Sequence, residues 1–401
     1  MWGCTTRAGA PPTVVITIPA AHTPLPSTTP VLPTLITTAA SAIDPTSTRT
    51  AEPVQLPSLT PSATPNPTLT AAPSNINPLT GLPADPVALA QRPLNVKVSN
   101  APACVRPQHG LAQADLVFEH YVEAWATRFT AVFHSQYPEV VGSVRSARML
   151  DLELPAIFSA NFLFSGASGG VQERIDDSDF ADRSLYALDL CPILCRVPAE
   201  SVPCGERAHT LFANAHAGQQ WFAERDSDEG LLAFEGWTFS KQAPSSAGSA
   251  AEKVDIYYAN APVVWTYEAE SGTYLRAQSG APHVDASSGL THRAANVVVL
   301  FANHVYSSIQ ESTHWYSLEI QFWGEGPLLL IHDGQVFEGE WRRWEREGLF
   351  EIFTESGEAL PLRPGQTWFQ MVGLASTVVY ADGGLEIDPE ELPLNTPPTS
   401  P

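Results

Sequence analysis

Hydrophobic and polar residues alternate with period two along several short stretches. In RPLNVKVSN, Leu94, Val96 and Val98 are separated by Asn95 and Lys97, which predicts a strand with one apolar face. Asp115 to Glu123 and Thr127 to Ser135 repeat the pattern on either side of a short Ala-Trp-Ala connection. The spacing changes in SARMLDLELPAIFSA, residues 146–160. It predicts a helix capped by Ser146 and bent or ended by Pro155. NFLF then reads as a strand running into the loop SGASGG, and GVQERIDD and residues 213–226 read as helices. Strands alternating with helices predict an α/β layer domain over 77–235.

Residues 236–253 contain SKQAPSSAGSAAEK, small and polar, and read as a linker. From 254 to 375 the chain becomes a series of strand-like runs separated by turns, which predicts a mainly antiparallel β domain. The expected fold class is therefore α+β overall: an N-terminal α/β layer domain followed by the β domain. Residues 376–401, ending in PLNTPPTSP, read as a disordered tail.

Residues 5–76 carry neither period. They are dense in Pro, Thr, Ser and Ala, and such a segment stays extended and can act as a spacer. It follows Gly3-Cys4, which looks like the end of a bacterial lipoprotein signal whose start codon lies further upstream. Cys4 would then receive the lipid, and residues 1–76 would form an anchor and tether. The other reading takes Met1 as the true start and Cys4 as incidental. No apolar run reaches about 18 residues, so no membrane-spanning helix is predicted.

Charge narrows the partners. The 401 residues include 21 basic and 43 acidic ones, a formal net charge of −22. Phosphate backbones and anionic lipid surfaces repel such a chain, so nucleic acid is excluded and membrane contact is expected only through the N-terminal lipid. Cys104, Cys191, Cys195 and Cys204 are disulfide candidates in an exported chain, with three full pairings open. Free thiols are the alternative. CPILC lacks a partner pair at zinc-finger spacing, so no metal is expected.

In chain order, NPLTGLP, VKVSN, VRPQHGL, VEAWATRFTAVFHSQ and VGSVRSAR resemble the first domain of the YerB-like bacterial lipoproteins. VVWTYEAESGTYLRAQSGAPHVD, LLLIHDGQVFEGEW and LRPGQTWFQMV resemble the second. The resemblance implies a two-domain envelope lipoprotein and brings no agreed biochemical activity. Two positions depart from the family pattern. Ser143 stands where the family usually has proline after glycine, and Ala208-His209-Thr210 stands where it has Pro-His-Asn.

The candidate chemistry centres on VGSVRSAR. Arg145 and Arg148 at the expected helix start would oppose the backbone dipole, so they are either paired or functional. Pairing would use Glu119, Glu123 or Asp151. The functional reading is a site for phosphate, pyrophosphate or carboxylate, with Arg128 and the loop residues Ser165, Ser168 and Gly169 nearby. Glu119 and Glu123 share one strand face by their even spacing, and His209 is a candidate base. No Gly-x-Ser-x-Gly or HExxH pattern appears, so no catalytic residue and no cofactor is assigned.

Three roles remain open. The preferred one is a binding or assembly module for an anionic envelope glycopolymer or a lipid diphosphate. The second is a metal-dependent phosphotransferase, because the order of charged strand, arginine turn and glycine pair resembles the LytR-CpsA-Psr enzymes. There Arg128, Arg145 and Arg148 would grip a diphosphate, and an acidic residue such as Glu119 would hold a metal or a proton. The third is a structural partner of another envelope protein. Trp265, Tyr267, Tyr274, Trp315, Trp323, Trp341, Trp344 and Trp368 either stack sugar rings or fill the β core.

Overall fold

The computed structural model describes residues 14–16, 75–225, 234, 236–244, 248–312 and 315–392. Cys4 and most of the tether lie outside them. Within the tether, Val14–Ile16 forms a strand paired antiparallel with Thr377–Ala381.

The fold is mixed α/β and mostly strands, as expected, but its two segments do not form separate sheets. One twelve-stranded sheet runs through both. Its middle is the order Gly324–His332, Asn296–Ser312, Thr367–Gly373, Leu116–Tyr121, Thr127–Phe133, Leu94–Ser99 and Asn161–Phe164. The joint is a parallel pairing of Thr367–Gly373 with Leu116–Tyr121, in the register Thr367 to Leu116 and Gln370 to Glu119. The 367–373 strand is buried along its whole length. Its alternate side chains fill both faces: Trp368 and Val372 one core, Phe369 and Met371 the other. Strands buried on both faces read as continuous apolar runs, and VVVLFA, residues 297–302, is such a run.

A second sheet of eight strands contains Lys253–Ile256, Val263–Glu268 and Thr273–Gln278. Trp265, Tyr274 and Trp368 share the larger core, with Leu94, Val96 and Val98 on the same side. Residues 377–388, read as tail, are a correction: Thr377–Ala381 and Gly384–Asp388 form an antiparallel hairpin inside this sheet. Val378, Leu385 and Ile387 bury against the core, and that burial holds the hairpin in place. The linker reading of 236–253 also needs correction. Trp237 is buried, and Ser249–Ala250 pairs with Gln335–Arg343. Of the notable aromatics, Trp265, Tyr274, Trp341 and Trp368 are core, whereas Trp323 and Trp344 are exposed. The cysteines pair as Cys104–Cys204 and Cys191–Cys195.

Candidate functional site: an arginine cluster

The segment around Arg145 is extended, held at each step by a different neighbour. Val141–Gly142 pairs with Leu211–Ala213 in a small three-stranded sheet. Ser99 N–H donates to Ser143 O, Val144 N–H to Leu211 O, Arg145 N–H to Lys97 O, and Ala147 N–H to Gly166 O. Gly142 has φ +149°, and a Cβ there would lie 2.9 Å from the Phe212 ring. Only glycine fits that turn.

The helix predicted from Ser146 does not form there. A 3₁₀ turn begins at Met149 and runs to Leu152, followed by a four-residue α-helix, Leu154–Ile157. Pro155 sits in the first turn of that helix, where its missing N–H costs nothing. The N-cap is Arg148, and Asp151, three residues on, reaches back to it: its Oδ2 accepts the Arg148 backbone N–H at 2.7 Å. Asp151 also accepts from Thr130 Oγ1 and pairs with Lys97 Nζ at 2.8 Å, all fully buried. Burial pushes Lys97 down to about 8, against the opposing pull of Asp151.

The two arginines differ in their partners. Arg148 is paired: its Nε lies 2.6 Å from Glu123 Oε2, and Glu311 stands 3.7 Å from its Nη2. Arg145 has no carboxylate within ion-pair distance among the described residues. Its Nη1 donates to Ala208 O at 3.0 Å, and its buried Nε has no partner. Arg128 is 9% exposed and donates to Ser146 O at 2.6 Å, also without an ion pair among the described residues. Burial, then the charges of Arg148 and Arg145, holds the Arg128 guanidinium well below its usual range. Burial and the Arg148 charge likewise lower Arg145. Positive charges crowd together here, and two of them have no ion-pair partner among the described residues.

The other candidates divide. Glu123 joins the cluster and also accepts the Leu318 N–H at 3.0 Å. Glu119 does not join it, which corrects its assignment. Glu119 is fully buried between the two sheets and accepts from Asn100, Thr127 and Arg276. The even spacing failed because the strand ends at Tyr121, two residues before Glu123. Ser165 N–H donates to Arg145 O, tying the glycine loop to the cluster. Ser168 Oγ donates to Glu311 Oε1 at 2.7 Å, on the far side of Arg148. Gly169 is exposed and opens the helix Gly169–Asp176 without touching the arginines. His209 lies against the cluster, 5% exposed, its Nε2 3.8 Å from Glu206. Burial and the Arg145 charge lower its pKa, so the ring is neutral at pH 7.

Sequence reasoning missed Glu311 and Lys97. Lys97 carried a signal, since it is one of only three lysines and interrupts an apolar strand. Glu311 sits near the end of a seventeen-residue strand and carried none.

Fold and site together define a class: two segments sharing one central sheet, with disulfides and an arginine cluster in the first. The chain belongs to the YerB-like family. Residues 79–225 match the family described as "Protein of unknown function (DUF3048) N-terminal domain", and residues 254–369 match its C-terminal domain. The chain is 29% identical over 298 residues to "Putative lipoprotein YerB" of Bacillus subtilis strain 168, covering 74% of this chain and 85% of that protein. The crystal structure of the YerB protein from Bacillus subtilis is similar with a TM-score of 0.62 at 28% identity, over 74% of this chain and 96% of that one.

Proposed function

We propose that the chain is a lipid-anchored protein of the cell envelope that binds an anionic envelope component at Arg145, with Arg128 behind it. The similarity to a putative lipoprotein, Gly3-Cys4 and the proline- and threonine-rich spacer support the location. The binding role rests on one observation: Arg128 and Arg145 adjoin a third arginine, yet neither has a carboxylate partner among the described residues. Forked guanidinium donors suit phosphate, diphosphate or carboxylate groups on a glycopolymer or lipid. No bond-making step is assigned. Glu119, the acid suggested for a phosphotransferase arrangement, is occupied by Arg276.

The test is binding of purified anionic glycopolymer and of a lipid diphosphate to the parent and to R128M/R145A. A charge-assisted hydrogen bond contributes about 1.5–3 kcal/mol, so the variant should bind at least tenfold more weakly. Equal affinity, or a parent that binds neither, contradicts the proposal.

A further inference from the structure

Beside the arginine cluster, the small three-stranded sheet and the 199–204 loop border an open cleft of about 500 Å³. That volume lies within the range of small-molecule sites. Val105, Val140, Val202 and Phe212 supply apolar wall. The Cys104–Cys204 disulfide joins two of its sides, so the space is preformed.

Two polar atoms in this wall have no partner among the described residues. They are Ser143 Oγ and His209 Nδ1, on residues 4% and 5% exposed. Buried polar atoms are nearly always satisfied, so each orphan needs an explanation. Both residues line the cleft. Charge limits what can answer them. Among the described residues no arginine or lysine lines the cleft, and the one carboxylate there, Glu139, is exposed and would oppose an anion. On the inner side, Arg145 next to His209 would oppose a cation.

We propose that this cleft is a second binding site, for a compact uncharged molecule with an apolar body and one hydrogen-bonding group seated between Ser143 Oγ and His209 Nδ1. It goes beyond the anion reading, because no guanidinium takes part. A neutral imidazole and a hydroxyl can each donate or accept, so an amine, hydroxyl or amide fits. Val202→Trp would close the site from a surface loop. His209→Phe would keep the bulk and remove the polar atom.

The probe is N-phenyl-1-naphthylamine, an uncharged aromatic with a single N–H, titrated by fluorescence into the full chain. The parent should bind it saturably at one site. V202W should weaken binding at least tenfold, and H209F several-fold. Circular dichroism and the melting temperature establish that each variant is folded. If V202W is unfolded, H209F and S143A carry the test. R145A should keep the probe while losing anionic ligands, so the two sites fail separately. Absence of saturable binding, equal affinity in parent, V202W and H209F, or loss of the probe in R145A would each overturn the second site.

Discussion

Replacing Arg148 by alanine leaves Glu123 without its partner at 8% exposure. A buried charge stripped of its partner costs about 3–5 kcal/mol, so R148A should lower the urea unfolding midpoint strongly. Arg145 balances no carboxylate among the described residues, so R145A should cost less than about 1 kcal/mol. Arg128 goes further, because its guanidinium is buried with no ion-pair partner among the described residues. Exchange for an apolar side chain of similar length, R128M, should leave stability unchanged or raise it. Equal losses in R145A and R148A would show that both arginines are structural. These roles were half legible. VGSVRSAR marked the arginines, but which of them had a partner depended on the strand ending at Tyr121, so that Glu123 leaves the face that carries Glu119. No local spacing records that ending.

Elements declared themselves in the sequence where one face was apolar and the period clear. Leu94–Ser99, Thr127–Phe133 and the helix Gly169–Asp176 fall where expected. The helix expected over 146–160 is reduced to the short turns at 149–152 and 154–157, because its start is held extended by Lys97 O and Gly166 O, through bonds to distant segments. The hairpin 377–388 was hidden because its alternation is short and its composition merges with the polar tail. The disulfides are also elements with unequal weight. Cys104–Cys204 spans 100 residues and Cys191–Cys195 spans 4. Loop-closure entropy assigns them roughly 4.7 and about 2 kcal/mol. Serine replacement of the first pair should therefore lower the melting temperature more than replacement of the second. The reverse order would show that loop closure does not govern their contribution.

Across the whole molecule, the shared sheet makes the two family segments one folding unit. The 116–121 strand needs the 367–373 strand beside it, so a fragment of residues 77–235 should not fold alone, and circular dichroism decides this. Acid stability also belongs to this scale. Burial depresses the pKa of His134, His292 and His304 to about 4, and those of His120 and His283 well below 6.5. These rings stay neutral in the folded protein, while the unfolded chain takes up protons near pH 6.5. Their contribution is complete above pH 6.5 and is lost as pH falls toward 4. Burial raises the Asp115 and Glu319 pKa values and opposes this trend, as two groups against five. Urea midpoints should therefore drop steadily between pH 6.5 and 4, and a flat profile there would contradict the neutral histidines.

The arginine cluster carries the functional account, and inorganic pyrophosphate probes it with the fewest other contacts. Isothermal titration of the parent, R128M/R145A and R148A at constant ionic strength compares them. The account predicts binding by the parent and at least a tenfold loss in R128M/R145A with its fold intact. Equal affinity in the parent and R128M/R145A, or no binding by the parent, would contradict it.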